Sequence, residues 1–200
     1  MTEPDAIPTT TNPFLLFQQW YENAREKEAD PADAMSLATC SLDGQPSVRM
    51  VLLKDHGNAG FVFYTNNKSR KADEIRQNPQ AALCFHWKSL QRQVRIEGKL
   101  EIVDNREADR YFATRSRESC MSAWASEQSQ ILSSRAELLS RYKERVAQFE
   151  GQSVPRPPFW QGYRLAPEMI EFWLHLPHRL HDRVLFKKSN FGWERSRLFP

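Results

Sequence analysis

Apolar positions change rhythm early in this chain, and the change marks the passage from helix to strands. Phe14, Phe17, Trp20/Tyr21 and Ala24 recur at helical spacing after Pro13, which predicts an amphipathic helix to about Lys27. Beyond Asp30-Pro31 the apolar runs shorten. Met35–Ser41 and Ser47–Leu53 flank Asp43-Gly44, the signature of a hairpin. Phe61–Thr65 predicts a third strand, Ser69–Gln77 a short polar helix halted before Asn78-Pro79, and Ala81–Trp87 and Gln91–Val103 two further strands. Asp104 with Glu107 has the spacing of a capping box and opens a helix through Ala108, Tyr111 and Phe112. Ser134 with Glu137 repeats the signal for Arg135–Phe149, whose Leu138, Leu139, Tyr142, Val146 and Phe149 form a stripe expected in the core or at an interface. Past the stiff connector Val154–Pro158, strands are expected at Gly162–Leu165, Met169–Leu174, Leu180–Phe186 and Trp193–Leu198. Short strands with turn signals and a few helices imply a mainly β fold with accessory helices (α+β), an antiparallel barrel.

Two hundred residues suffice for one domain with a real core, expected over residues 13–200, behind a flexible polar tail at 1–12. That tail has neither the basic start nor the apolar centre of a signal peptide, and the longest apolar runs are strand-sized, so no membrane partner is expected. Cys40, Cys84 and Cys120 are odd in number, widely spaced and free of any Cys-x-x-Cys, which fits reduced thiols in a cytoplasmic compartment.

The net charge of +3 is mild, but the cations cluster at Lys68/Arg70/Lys71, Arg92/Arg95, Arg115/Arg117 and Arg179/Arg183. Such clusters suit phosphate esters or a nucleic-acid backbone, or simply face water. Ser69-Arg70-Lys71 opens a helix, where cations oppose the dipole and ask for an anion. Tyr111, Arg115 and Ser119 recur every four residues, either on one helical face or in a turn after it, and offer phenol, guanidinium and hydroxyl. Arg49 and Lys54 flank an apolar strand at odd separation, so Lys54 is expected to reach the same site from the strand end. In Arg179–Arg183, strand alternation would put Arg179, His181 and Arg183 on one face, either as an anion site or as a charged edge. His175, His178 and His181 do not share a face on such a strand, which argues against a metal site. There is no Gly-x-Gly-x-x-Gly, no P-loop and no Gly-x-Ser-x-Gly elbow.

These pieces keep an order that resembles the pyridoxine/pyridoxamine 5′-phosphate oxidase family. The matching stretches are Arg49-Met-Val-Leu-Leu-Lys54, Phe63-Tyr64-Thr65-Asn66, Ser69-Arg70-Lys71, Arg92-Gln93-Val94, Tyr111-Phe112 with Arg115 and Ser119, Ala123-Trp124-Ala125-Ser126 with Gln128-Ser129, Glu171-Phe172-Trp173, and Arg179-Leu-His-Asp-Arg183. The resemblance implies an FMN-binding split β-barrel that works as a homodimer with two flavin sites at the interface. It implies that Arg49, Arg70 and Lys71, with Gln128 and Ser129 of the partner subunit, hold the FMN phosphate and ribityl chain. Tyr64 and Thr65 would line that site, and Gln93, Trp173 and Arg183 would approach the flavin. Lys54, counted in both the cofactor and the substrate sets, would hold the substrate phosphate with Tyr111, Arg115 and Ser119. Arg179 and His181 would face the pyridine ring and its reacting carbon as the catalytic pair.

The implied reaction oxidises pyridoxamine or pyridoxine 5′-phosphate to pyridoxal 5′-phosphate, with O2 as acceptor and H2O2 as product. Two departures stand out: Leu174-His-Leu-Pro-His178 replaces a Gln-Gly pair usual after the tryptophan, and the short N-terminus lacks an Arg-x-x-Tyr. Phenazine-pathway oxidases share the scaffold but tend to lack the lysine at Lys54. Rival readings are a non-catalytic FMN or pyridoxal-phosphate carrier, and a barrel that binds single-stranded nucleic acid through Phe85, Trp87 and Arg92, for which steep salt dependence would be expected.

Overall fold

The structure, a computed structural model, describes residues 7–200. Helix α1 (Pro13–Lys27) starts with proline at its first position, and the Asn12 side chain caps it by accepting from the amides of Phe14 and Leu15. Its apolar face, Leu16, Phe17, Trp20 and Ala24, is buried. Phe17 meets Phe61 edge-on at 4.8 Å and Phe85 at 5.2 Å, and Trp20 meets Phe172 at 5.3 Å, so the helix plugs one side of the sheet. The polar tail expected at 1–12 is corrected from Ile7 onward: Ile7 is buried and its amide donates to Asp182 Oδ2 at 2.9 Å. Residues 1–6 lie outside the described residues.

Every strand pair described is antiparallel. β1 (Ala34–Cys40) and β2 (Pro46–Leu52) form the expected hairpin, with Gly44 at φ +85 in its turn. β3 (Asp55–Gly57), a short strand the pattern did not announce, pairs with β4 (Gly60–Asn66). Helix α2 (Arg70–Gln77) follows, then β5 (Gln80–Trp87) and β6 (Arg92–Ile102). Three helices come next, α3 (Asn105–Ala113), α4 (Arg117–Ala125) and α5 (Arg135–Gln148). The chain ends in β7 (Trp160–Leu174), β8 (Asp182–Ser189) and β9 (Gly192–Arg197). The sheet runs β2-β1-β5-β6-β7-β4-β3, with β8 and β9 branching from β7.

β7 corrects the expectation of two strands at Gly162–Leu165 and Met169–Leu174. It is one fifteen-residue strand whose first part pairs with β4 and whose last part pairs with β8, while β6 pairs along both. Ala166-Pro167-Glu168 sits at the changeover, where the register against β6 shifts between Glu97 and Gly98. A Cβ on Gly98 would lie 2.1 Å from the Ala166 carbonyl oxygen, so the strand can bend there only against glycine. The sheet therefore divides about β7 into two curled halves.

Two local expectations change as well. Asp104 caps α3 through the Arg106 amide, and Glu107 does not reach back but holds Arg164 at 2.8 Å. Within α5 no residue is buried and Leu139 and Val146 are exposed, so of the apolar stripe only Phe149, just past the helix end, is buried, with its ring centre 5.5 Å from that of Trp124. Among the described residues no helix is long and apolar enough to cross a membrane.

Candidate active site

A cleft of ≈ 520 Å³ opens where β2, β4, the start of α2, the end of α3 and the 126–130 loop converge. Its wall includes five cations, Arg49, Lys54, Arg70, Lys71 and Arg115. Alternation on β2 turns Ser47, Arg49 and Val51 inward and leaves Val48, Met50 and Leu52 exposed. Lys54 lies past the end of β2 and pairs with Asp33 at 2.8 Å, so the strand end brings it round to the cleft despite its odd spacing from Arg49.

Glu74 organises Arg49 and Arg70 from the buried face of α2. Its carboxylate accepts from Thr39 and Ser47 (2.6 Å), from Arg70 Nε (2.8 Å) and from Arg49 Nη2 (3.3 Å). Burial pushes its pKa up, but the hydroxyls of Ser47 and Thr39, then Arg70 and the Arg49 charge, outweigh this and bring it to about 2. Arg49 also donates to Thr39, Ser47 and the Leu37 carbonyl, so its guanidinium is fixed along the β1–β2 hairpin.

Lys71 is buried in the first turn of α2. Its ammonium donates to Gln128 Oε1 (2.8 Å), Thr65 Oγ1 (3.1 Å) and Ser69 Oγ (3.2 Å). Burial and then the neighbouring Arg49 push its pKa down to about 8, with Glu74 opposing. Ser69, the expected phosphate hydroxyl, makes no side-chain cap bond and donates instead to the Asn66 carbonyl at 2.7 Å.

Stacked aromatics form the other wall. Tyr64 lies parallel to Tyr111 at 4.3 Å and to Trp160 at 4.8 Å. Burial, then the charges of Glu107 and Tyr111, push the Tyr64 phenol up to about 12, so it stays a neutral donor. Arg115 lies over Trp160 (5.1 Å) and Phe112 (5.4 Å), and its Nη1 is buried without a hydrogen-bond partner. A buried guanidinium nitrogen left unpaired on a cleft wall is a donor for an anion brought by a ligand. The open question at Tyr111, Arg115 and Ser119 resolves as a turn: α3 stops at Ala113, α4 starts after Ser116, and the Ser119 hydroxyl pairs with that of Ser116 at 3.0 Å. Ser119 is therefore not on the cleft wall.

Gln128 and Ser129 correct the expectation that they would come from the partner subunit. The loop after α4 folds back on β4 of the same chain, where the Asn66 side-chain amide donates to the Ser126 carbonyl (3.3 Å) and the Thr65 hydroxyl to Gln128 Oε1 (2.9 Å). Ser129, at φ +72, then completes the wall.

The remaining candidates form a second group that does not line this cleft. Gln93, Trp173 and Arg183 stand in register across β6, β7 and β8. Glu171, buried two residues before Trp173 and in register with Arg95, accepts from Arg183 Nε (2.8 Å) and Arg95 (3.1 Å). The expected strand through Arg179 and His181 is corrected: β8 begins at Asp182, and Pro177–Arg179 is a 3-10 turn with His178 and Arg179 at φ +58 and +64. Alternation thus cannot align Arg179 with His181. Instead the turn folds His181 against Trp173, with ring centres 4.7 Å apart, and its Nδ1 accepts the Leu176 amide at 3.2 Å. Trp160, Asp33 and Glu74 went unnoticed in the sequence because their roles depend on contacts far along the chain.

Comparison with known proteins agrees with this geometry. Residues 23–149 match the family model described as pyridoxamine 5′-phosphate oxidase, and residues 160–200 match the pyridoxine 5′-phosphate oxidase C-terminal dimerisation region. A pyridoxine/pyridoxamine 5′-phosphate oxidase of Sphingopyxis alaskensis is 56% identical over 94% of this chain and 88% of its own. That of Rhodospirillum rubrum is 51% identical over 94% and 96%. The crystal structure of PhzG from Burkholderia lata 383, in complex with tetrahydrophenazine-1-carboxylic acid, superposes with a TM-score of 0.91 at 29% identity, covering 100% of this chain and 98% of that one. The fold also matches an FMN-binding protein of Nostoc punctiforme, at a TM-score of 0.73 and 17% identity, covering 96% of this chain and 100% of that one. The divided antiparallel sheet is thus the split β-barrel of these proteins, and the chain belongs to the pyridoxamine 5′-phosphate oxidase family.

Proposed function

We propose that the protein is an FMN-dependent oxidase that converts pyridoxamine or pyridoxine 5′-phosphate to pyridoxal 5′-phosphate, reducing O2 to H2O2. The observation that carries this reading is that one cleft gathers five cations, Arg49, Lys54, Arg70, Lys71 and Arg115, with the stacked rings of Tyr64, Tyr111 and Trp160 on its wall. Two phosphate esters and a flat ring system match that arrangement. The residues fit FMN: Arg49, Arg70 and Lys71 would hold its phosphate, with Thr65, Gln128 and Ser129 on the ribityl chain and Tyr64 beside it. Lys54, Tyr111 and the unpaired Nη1 of Arg115 would hold the substrate phosphate. FMN, when bound, supplies the acceptor for a hydride equivalent from C4′ and hands the electrons on to O2. The protein's part is to fix the substrate by its phosphate, stack its ring and exclude water.

Gln93, Trp173, Arg179, His181 and Arg183 of the partner subunit would complete each cleft in a homodimer. Two features support the dimer: residues 160–200 match a dimerisation region, and the edge strand β2 exposes Val48, Met50 and Leu52 beside the cleft. Residues 13–200 act as one domain in this reading, and the free thiols of Cys40, Cys84 and Cys120 fit a cytoplasmic setting.

The test is spectroscopic. The purified protein should take up FMN, turn yellow, and bleach on anaerobic addition of pyridoxamine 5′-phosphate, with pyridoxal 5′-phosphate as product. Failure to take up FMN sinks the reading. Flavin that binds but never bleaches supports a carrier instead. Bleaching by a reduced phenazine carboxylate and not by the pyridoxamine ester would move the substrate to the class bound in the Burkholderia structure.

A further inference from the structure

The departure after Trp173 places a histidine, His175, where it touches the site's other histidine. Its ring centre lies 4.9 Å from that of His181 and 5.9 Å from that of Trp173, and its own amide is tied to the Gln91 carbonyl at 2.9 Å. His175 is thus fixed at the end of β7, while the chain runs through Pro177 and the two left-handed residues His178 and Arg179 before His181 comes back beneath it. Left-handed backbone at two successive residues with side chains is strained, and such strain persists only where surrounding contacts hold it. Here those contacts are the three-ring cluster and the Leu176 amide.

That amide decides the form of the His181 ring. A neutral imidazole carries one N–H and one lone pair. The Leu176 N–H donates to His181 Nδ1 at 3.2 Å, so the lone pair is at Nδ1 and the proton at Nε2. Taking a second proton at Nδ1 would set two N–H groups against each other. The groups around the ring push the same way: desolvation, then His175, then Arg179 lower its pKa. Asp182 is turned to Ile7 and Arg197, and Arg183 is tied to Glu171 and the Phe199 carbonyl, so neither offsets this.

We propose that His175 is a positioning residue for His181: with the Leu176 amide it holds the ring in the form protonated on Nε2, which donates a hydrogen bond to an acceptor oxygen of the substrate and does not take its proton. The proton lost from the substrate's amine or alcohol then passes to solvent. This deepens the functional reading above and rests on it for the word substrate, but the state of the His181 ring can be measured without turnover.

The experiment is long-range proton–nitrogen NMR on the FMN-loaded protein labelled with ¹⁵N-histidine, across a pH series, for the wild type, His175→Gln and His175→Phe. The His181 signals, assigned by their loss in His181→Asn, should show an unprotonated Nδ1 and a protonated Nε2 in the wild type. Removing the second imidazole in His175→Gln should move the His181 titration up toward the ordinary histidine value. The acid limb of anaerobic flavin reduction should move with it, and a merely structural role would move neither. His175→Phe, which keeps a ring on the cluster, should preserve the Nε2-protonated form even if His175→Gln folds poorly. A wild-type ring protonated on Nδ1, or a titration unmoved in both variants, overturns the proposal. If the FMN-loaded protein is never bleached by pyridoxamine 5′-phosphate, the functional reading fails while the NMR arm still decides the ring.

Discussion

Replacing Glu74 by glutamine should destabilise the ligand-free protein by about 3 kcal/mol near neutral pH, and the loss should shrink in acid. Glu74 is 5% exposed, and its carboxylate is held by Thr39, Ser47, Arg49 and Arg70, which bring its pKa from 4.5 to about 2. Each tenfold change in proton affinity corresponds to about 1.4 kcal/mol, so the ionised form contributes about 3 kcal/mol to folding. For a carboxyl whose pKa is depressed on folding, this contribution is complete above 4.5 and disappears as pH falls through 2. At pH 3, between those values, roughly half remains. Glutamine keeps the size and one acceptor but loses the charge that faces two guanidinium groups, leaving the half-buried Arg49 against a neutral amide. Urea unfolding followed by tryptophan fluorescence, at fixed protein concentration near pH 7 and near pH 3, measures both differences. Equal destabilisation at the two pH values would refute the electrostatic reasoning and point to packing alone. No destabilisation at neutral pH would remove Glu74 as the organiser of the cleft.

Because Lys71 titrates near 8 without ligand, FMN affinity measured by flavin fluorescence quenching should fall as pH rises through that value; an affinity as pH-dependent in Lys71→Met as in the wild type would contradict this. Arg115→Lys gives up the stack on Trp160 and Phe112 and the planar fork, worth about 1–2 kcal/mol, so KM for the phosphorylated substrate should rise roughly tenfold. A loss confined to FMN binding would place Arg115 on the wrong ester. Gly162→Ala puts a Cβ 2.6 Å from Tyr64 Cε1 and should disturb the Tyr64–Tyr111–Trp160 stack, lowering thermal stability by an overpacking cost of about 1–3 kcal/mol and weakening FMN binding. Gly57→Ala, whose Cβ meets nothing within 4 Å, is the control and should melt with the wild type.

Local periodicity carried most of the secondary structure. The helix from Pro13, the Asp43-Gly44 hairpin and the strands around Phe61–Thr65 and Ala81–Trp87 are set by side-chain spacing and turn chemistry within a few residues, so they could be read in one dimension. The ordered motifs likewise named Arg49, Lys54, Arg70, Lys71 and Arg115 before any contact was known, and one cleft wall gathers them. The misreadings fall where partners distant in sequence decide. β7 reads as two strands because Pro167 breaks the pattern, yet pairing with β6 on both sides of the bulge carries the strand through. The α5 stripe reads as core or interface, and within this chain only its last member, Phe149, is buried.

What the sequence by itself determined was the kind of chemistry: clustered cations, interleaved aromatics and an antiparallel β framework, all properties of residue type and short-range spacing. Only the tertiary structure decided which groups meet. It returned Gln128 and Ser129 to their own chain's cleft, and it brought Glu74 of α2 against Arg49 of β2 as well as Arg70 of its own helix. It also broke the presumed strand at Arg179 into a left-handed turn that sets His181 under the Leu176 amide and beside His175. Alternation along an isolated segment assumes extended backbone, and the Pro177–Arg179 turn shows that ring packing and one backbone hydrogen bond can override it.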